Sequence, residues 1–287
     1  MIDSITTATG AAIGKVCAVL GWPRSSYYHA QKETPSAAAD REMTVKITEI
    51  FNHHRRRYGY RRIVSELADR QIKCAPARAR RLMNEAGLHA LQPKSYAPRT
   101  SDGKANAPSP NLLCGEIPDR PNEAWGGDIT YISIEGAWVY LAVVIDLGSR
   151  RIVGWEIADN MRSDLVSSAL SQAIETRSPA PGMIFHSDRG SQYGSGQFRS
   201  LLTGAGIRQS MSARANPYDN AWTESFFGTL KGELIQDGCF ENISDARTAI
   251  FEYIEAYYNT QRKHSSLGNM KPSQYEEQIN ALTQTEK

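Results

Sequence analysis

Apolar residues recur at helical spacing through roughly the first third of the chain, and the pattern changes to strand-like alternation beyond about residue 123. Ile13, Val16, Val19 and Leu20 form one stripe. Gly21-Trp22-Pro23 interrupts it and Ser25-Ser26-Tyr27-Tyr28 opens a second helix, a helix-turn-helix rhythm. Met43, Ile47, Ile50 and Phe51 repeat the helical spacing, and Ile63 and Leu67 extend it. A further helix is predicted over 77–86, ended by Gly87. Residues 91–122 carry prolines at 93, 98, 108, 110, 118 and 121 among Ser, Asn and Ala, and read as a linker.

Three runs rich in Val, Ile, Tyr and Trp follow, over 124–134, 137–146 and 152–157, with Gly136 and Gly148-Ser149 at the turns. The pattern then predicts a helix over 163–175, a short buried strand over 183–186, a helix over 195–205 and a strand over 207–212. A strong helix is expected over 220–234, capped by Asp219 or Asn220, and another over 244–258, capped by Ser244 or Asp245. The order β-β-β-α-β-α-β-α implies an α/β fold, a mixed sheet with flanking helices, preceded by a small all-α region. The expected organisation is a helix-turn-helix-like segment at 1–35, a second helix-turn-helix-like domain at 41–90, the linker, an α/β core at 123–235 and a C-terminal helical extension at 236–287.

Charge divides the chain in the same place. Residues 1–100 hold 17 Lys and Arg against 8 Asp and Glu, a balance of +9, and residues 101–287 balance at −7. A basic front suits phosphates and an acidic back suits cations. The densest basic run is Arg55-Arg56-Arg57-Tyr58-Gly59-Tyr60-Arg61-Arg62, where arginines for phosphate contact interleave with tyrosines for stacking. No apolar run is long enough to span a bilayer and no export signal is visible, so membrane functions are not expected. Four scattered cysteines without a CxxC pair suit a reduced, cytoplasmic setting. His53, His54 and Cys74 lack the spacing of zinc ligands.

Three acids stand out by position. Asp128 interrupts the apolar strand Trp125-Gly126-Gly127-Asp128-Ile129-Thr130-Tyr131-Ile132, where an unpaired carboxylate is costly. Asp188 follows a buried strand and enters a glycine-containing loop, His186-Ser187-Asp188-Arg189-Gly190-Ser191-Gln192-Tyr193, a common place for a site in α/β folds. Glu224 lies in the first turns of the 220–234 helix. Clustered, such acids would repel one another without cations, and oxygen-only ligands suit Mg²⁺ or Mn²⁺. A pair of such ions can activate a hydroxyl and stabilise the leaving oxygen of a phosphodiester. Lys231, seven residues after Glu224, faces the same way two helical turns on and can grip a phosphate. Each residue also has a plainer reading: Asp128 paired with a buried arginine, Asp188 in a turn, Glu224 complementing the helix N-terminus, Lys231 solvated. Asp146 reads as an extra acid or as a turn residue, and His186 as lining the site or supporting it. Tyr257, Tyr258, Arg262, Lys263 and His264 read equally as DNA contacts or as packing.

These segments, with 142–155, Asp219-Asn220-Ala221-Trp222-Thr223-Glu224-Ser225-Phe226-Phe227-Gly228-Thr229-Leu230-Lys231, 258–268 and Lys271-Pro272-Ser273, resemble the catalytic core of retroviral-type integrases. They equally resemble the IS3-family insertion-sequence transposases, the second-reading-frame product in particular. The 35 residues between Asp188 and Glu224 match the DD(35)E spacing of that group, and Tyr58-Gly59-Tyr60-Arg61-Arg62-Ile63 is similar to its helix-turn-helix region. Arg214-Ala215-Asn216-Pro217-Tyr218-Asp219-Asn220 departs from the expected pattern.

The resemblance implies an RNase H-like fold and a DDE-type transposase. In it, Asp128, Asp188 and Glu224 would hold a pair of divalent ions, Mg²⁺ or Mn²⁺, and Lys231 would be the basic residue after the glutamate. It implies cleavage at element ends, then attack of the 3′-hydroxyls on target DNA. The partners it implies are DNA, further copies of the chain in a homo-oligomer, and an upstream-frame protein or a frameshift fusion. Arg55, Arg56, Arg57, Tyr58, Tyr60, Arg61, Arg62, Arg262 and Lys263 are the expected DNA contacts beyond Lys231. The rival functions are an RNase H-fold nuclease without strand transfer and an inactive DNA-binding regulator.

Overall fold

The computed structural model describes residues 1–31, 35–92, 109–116, 118–213, 221–236 and 238–285, without the side chains of 29–31 and 283–285. The chain forms two compact units, Met1–Ala90 and Leu91–Lys287. Most of the expected linker, the expected caps Asp219 and Asn220, and the variant segment 214–220 lie outside the described residues.

In the first unit, α1 (Ile2–Thr9), α2 (Ile13–Val19) and α3 (Arg24–Gln31) precede three longer helices, α4 (Pro35–His53), α5 (Tyr60–Asp69) and α6 (Pro76–Glu85). The apolar stripes converge as their spacing requires: Ile47, Ile50 and Phe51 of α4, Ile63 and Leu67 of α5, and Ala79, Leu82 and Met83 of α6 are buried. Tyr58 is fully buried and stacks on His54, with ring centroids 3.7 Å apart and planes 8° from parallel. Asp40 of α4 holds α6 through Arg78 and Arg81, each at 2.6 Å.

The second unit is built on five strands, β1 (Ala124–Ile134), β2 (Ala137–Asp146), β3 (Ile152–Ala158), β4 (Ile184–Ser187) and β5 (Arg208–Met211), in the spatial order β3-β2-β1-β4-β5. The first three form an antiparallel meander, and β4 and β5 join parallel to β1. The parallel partners require crossovers, supplied by α7 (Ser163–Arg177) and α8 (Gly196–Gly204). These two helices cover one face, where Trp125, Ile129, Val144, Leu170, Phe185 and Phe198 belong to one apolar cluster. Residues 109–113, expected as linker, pack on the sheet edge: Met211 N donates to Pro110 O and Leu112 N to Ser210 Oγ. Among the described residues no helix is long and apolar enough to cross a membrane.

Two glycines set the spacing of these layers. A Cβ on Gly154 would stand 2.2 Å from the Ala169 carbonyl oxygen of α7. A Cβ on Gly127 would stand 2.4 Å from the Phe185 ring of β4. That ring is buried and meets Phe198 edge-on at 5.2 Å, so it has little room to move. The Gly127→Ala variant should therefore lose about 1–3 kcal/mol of stability, the usual cost of overpacking, as read by chemical unfolding. An unchanged midpoint would show that Phe185 gives way freely.

The remaining helices are α9 (Ala221–Leu230), α10 (Ile243–Phe251) and α11 (Pro272–Thr285). The expected single helices continue past α9 and α10 as π-helical stretches, Lys231–Ile235 and Glu252–Tyr258. The cap of α10 is Asn242, ahead of the expected Ser244 or Asp245, accepting from the amides of those two residues. α11 is pinned by Glu276, whose buried carboxylate takes Arg177 at 2.7 and 3.0 Å, Arg151 at 2.8 Å and the Ser149 hydroxyl at 2.8 Å. Burial alone would push this carboxyl up, but the hydrogen bond and charge of Arg177, helped by Ser149 and Arg151, hold it below its ordinary value of 4.5.

A carboxyl depressed in the folded state stabilises fully above its unfolded value. It loses that contribution as pH falls through the folded value. Stability should therefore decline below about pH 4.5 in part through Glu276. In urea titrations at several pH values, Glu276→Gln should be less stable at pH 7 and should show a shallower acid decline. Parallel curves for the two proteins would remove Glu276 from this role.

Candidate active site and nucleic-acid interface

The parallel register of β1 and β4 runs from Ala124↔Ile184 to Gly127↔Ser187. Asp128 and Asp188 are the next residues on each chain, so they leave the paired region side by side, on strands about 4.8 Å apart. Asp128 Oδ1 accepts the Ile129 amide at 2.8 Å, and Asp188 Oδ1 accepts the Gly190 amide at 2.8 Å, which turns the loop after β4. Both carboxylates are half-buried. Asp188 thus has the turn duty read from its sequence as well as its place beside Asp128.

The first turn of α9 docks just ahead of both acids. Trp222 meets His186 edge-on at 6.4 Å, two residues before Asp188. Thr223 Cγ2 is 3.6 Å from the Cβ position of Gly126, two residues before Asp128. Glu224 follows on that turn and is exposed. The three acids therefore come from the middle of β1, the residue just past the end of β4, and the helix turn laid against them. Among the described residues, no three His, Cys, Asp or Glu side chains stand close enough together to hold a metal ion.

Lys231 lies one residue beyond α9 and is half-buried, with its ammonium 4.2 Å from the centroid of the Tyr131 ring. Burial pushes its pKa down, and the Asp128 charge works the other way. Lys231 thus reaches both Tyr131 and the field of Asp128. Tyr193, without an expected role of its own, has a buried hydroxyl with no hydrogen-bond partner among the described residues. Burial, then the charges of Asp128 and Asp188, hold that phenol well above its usual range. His186 is buried and bridges β4 to the end of β5, with Nδ1 2.8 Å from Ser210 Oγ and Nε2 3.2 Å from Ser212 Oγ. It supports the loop that carries Asp188 rather than lining an open site. Asp146 is also a turn residue: it is fully buried and accepts from the amides of Asn122, Gly148 and Ser149.

Several expected DNA contacts are corrected by their burial. Arg262 is 5% exposed, and its guanidinium holds both oxygens of Glu233 at 2.8–3.0 Å, while Tyr253 donates to the same carboxylate at 2.9 Å. Burial disfavours the Arg262 charge, and Glu233 more than offsets it, raising its pKa. Lys263 is 2% exposed. Neither can meet a phosphate without leaving the core. In the first unit, Tyr58 and Arg57 are buried as well. Arg55, Arg56 and Arg61 are exposed, and Tyr60 and Arg62 partly so. Arg55 and Arg56 hold left-handed backbone, φ 50° and 63°, at the turn after α4, a conformation that costs an arginine about 1–3 kcal/mol each.

The Glu233 pair ties the π-helical continuation of α9 to the chain after α10. Arg262→Ala should leave an unpaired buried carboxylate and cost about 3–5 kcal/mol in chemical unfolding. The salt dependence of DNA affinity should keep its slope, because no phosphate contact is lost. A shallower slope with unchanged stability would restore the surface role.

The integrase core domain family matches residues 118–217, a second integrase core domain family matches 205–272, and an HTH-like domain family matches 37–96. The transposase for insertion sequence element IS904 of Lactococcus lactis subsp. lactis is 42% identical over 236 residues, 82% of this chain and 93% of its own. The transposase InsF for insertion sequence IS3A of Escherichia coli K12 is 35% identical over 274 residues, 92% of this chain and 94% of its own. The HTLV-2 integrase catalytic core domain in complex with magnesium, in its trimeric form, superposes with a TM-score of 0.43 at 18% identity, over 55% of this chain and 97% of its own. The chain belongs to the IS3 family of insertion-sequence transposases, with an integrase core domain following an HTH-like domain.

Proposed function

We propose that this chain is a DDE-type DNA transposase that cuts the ends of an insertion element and joins their 3′-hydroxyls to target DNA. The observation that carries this reading is the docking of the first turn of α9 on β1 and β4 directly ahead of Asp128 and Asp188. The donor set is all carboxylate oxygen, which suits a hard cation. Asp128, Asp188 and Glu224 would hold Mg²⁺ or Mn²⁺, as a pair of ions, and the metal supplies Lewis-acid activation of the attacking hydroxyl and of the scissile phosphate.

The protein's own groups do the rest. Mutual repulsion among three carboxylates means that gathering them needs a counter-charge, so the site is selective for cations. Lys231 grips a phosphate of the reacting strand, its ammonium already oriented by Tyr131 and Asp128. His186 and the Asp188–Gly190 turn hold one carboxylate in place. Arg55, Arg56 and Arg61 contact duplex phosphates through the first unit, and Tyr60 and Arg62 lie beside them. Joining needs two ends at once, which calls for a homo-oligomer. An upstream-frame partner, or a fusion to it, would add recognition of the ends.

The test is labelled element-end DNA with Mg²⁺ and a target plasmid. Joined products are expected from the wild-type chain. Asp188→Asn should lower joining by about a hundredfold or more, the scale of removing one group that stabilises transition-state charge, while DNA binding persists. Cuts without joining would identify a nuclease instead, and equal joining by Asp188→Asn would end the triad assignment.

A further inference from the structure

The β1–β2 hairpin exposes a large aromatic side chain close to the proposed site. Trp138 is 55% exposed although it sits in a strand of the main sheet. The register pairs Ser133 with Trp138 and Tyr131 with Tyr140, so Tyr131 and Trp138 are diagonal neighbours on one face. Their rings meet edge-to-face, 5.0 Å apart at 79°. This contact braces the indole and leaves much of it open to solvent. The Lys231 ammonium lies over the Tyr131 ring at 4.2 Å. An open indole, a bracing phenol and a cation thus stand in one row.

That row begins near the reacting centre. Tyr131 is three residues beyond Asp128 on β1, about 10 Å along the strand, and strand alternation turns its ring to the opposite face, so that Lys231 at the edge of β1 is the link between the two. The pairing with β4 stops at Gly127, and on that edge the next partner of β1 among the described residues is Phe240, bridged to Ile134. Lys231 reaches β1 in this interval and feels the charge of Asp128 there. A phosphate held by Lys231 would leave its attached nucleotide within reach of the Trp138 ring. An indole face takes any base, since every base has a π-face, but only if that base is not stacked in a duplex. Backbone charge at Lys231 and stacking at Trp138 are complementary to the same nucleotide.

We propose that Trp138, braced by Tyr131 and flanked by Lys231, is a stacking platform for an unpaired nucleobase of the DNA strand entering the Asp128 site. The proposal rests on the transposase reading for its substrate. It adds a requirement that the DNA be locally unpaired beside the reacting phosphate, as at a frayed or nicked end. Tyr131 acts here as a positioning residue, because it touches Trp138 and Lys231 rather than the base.

The test uses the full chain and two synthetic DNAs of the same sequence, one blunt and one with a short single-stranded overhang carrying 2-aminopurine. Binding is measured without divalent metal, so no turnover is needed. The overhang's fluorescence should be quenched by the wild-type chain and by Trp138→Phe. Trp138→Ala should lose most of the quench and bind the overhang DNA roughly tenfold more weakly, while its affinity for blunt DNA is unchanged. The proposal is overturned if Trp138→Ala quenches as the wild type does. It is equally overturned if blunt and overhang DNA weaken together and Trp138→Phe restores neither. Failure of strand joining would count against the transposase reading alone, since this binding result does not depend on chemistry.

Discussion

The close parallel approach of β1 to β4 is the constraint on which the second unit depends. It exists because residue 127 has no side chain where the Phe185 ring must lie. That contact does two things at once. It closes the apolar face under α7 and α8, and it fixes the register that sets Asp188, just past the end of β4, beside Asp128 inside β1. A slip of one residue would turn every side chain of β4 to the other face and separate the two acids. Packing and chemistry are therefore set by the same pairing.

The third acid depends on a different kind of contact. α9 is held at its start by Trp222 and Thr223 against the strands, and beyond its end by Glu233 in the buried Arg262–Tyr253 lock. Glu224 and Lys231 lie between these two anchorages. A buried ion pair adds little net stability compared with apolar packing, but it is costly to break and strict in geometry. Here that strictness falls on the helix that carries Glu224 and the stretch that carries Lys231, the two groups proposed to meet the substrate. Glu276 does similar work for α11, joining it to α7 and to the turn between β2 and β3.

The sheet was legible because its signals are local. Alternation and Gly136 place β1 and β2 at 124–134 and 137–146, and the structure has the same bounds. The helices of the first unit follow their apolar stripes for the same reason. The helix 2–9 falls within the helical segment expected at 1–35, though only Ile2 and Ile5 mark it, and the π-helical stretches leave no mark that composition or spacing can show. Charge was the least legible property. Arg262 and Lys263 look like surface cations in sequence, yet the partner of Arg262 is 29 residues away at Glu233. Tyr58 sits among exposed arginines but serves as core through its stack on His54. The Tyr131–Trp138 pair becomes visible only when the hairpin register is known, because seven residues and a turn separate them in the chain.

Asp128 inside β1, Asp188 past the end of β4 and Glu224 on the first turn of α9 are proposed to hold paired hard cations on DNA. Mn²⁺ titration of the DNA-bound chain, followed by electron paramagnetic resonance, tests this directly. A saturable, spin-coupled signal from two ions about 4 Å apart is expected. Binding of isolated, uncoupled Mn²⁺ only, or no tight binding at all, would contradict it.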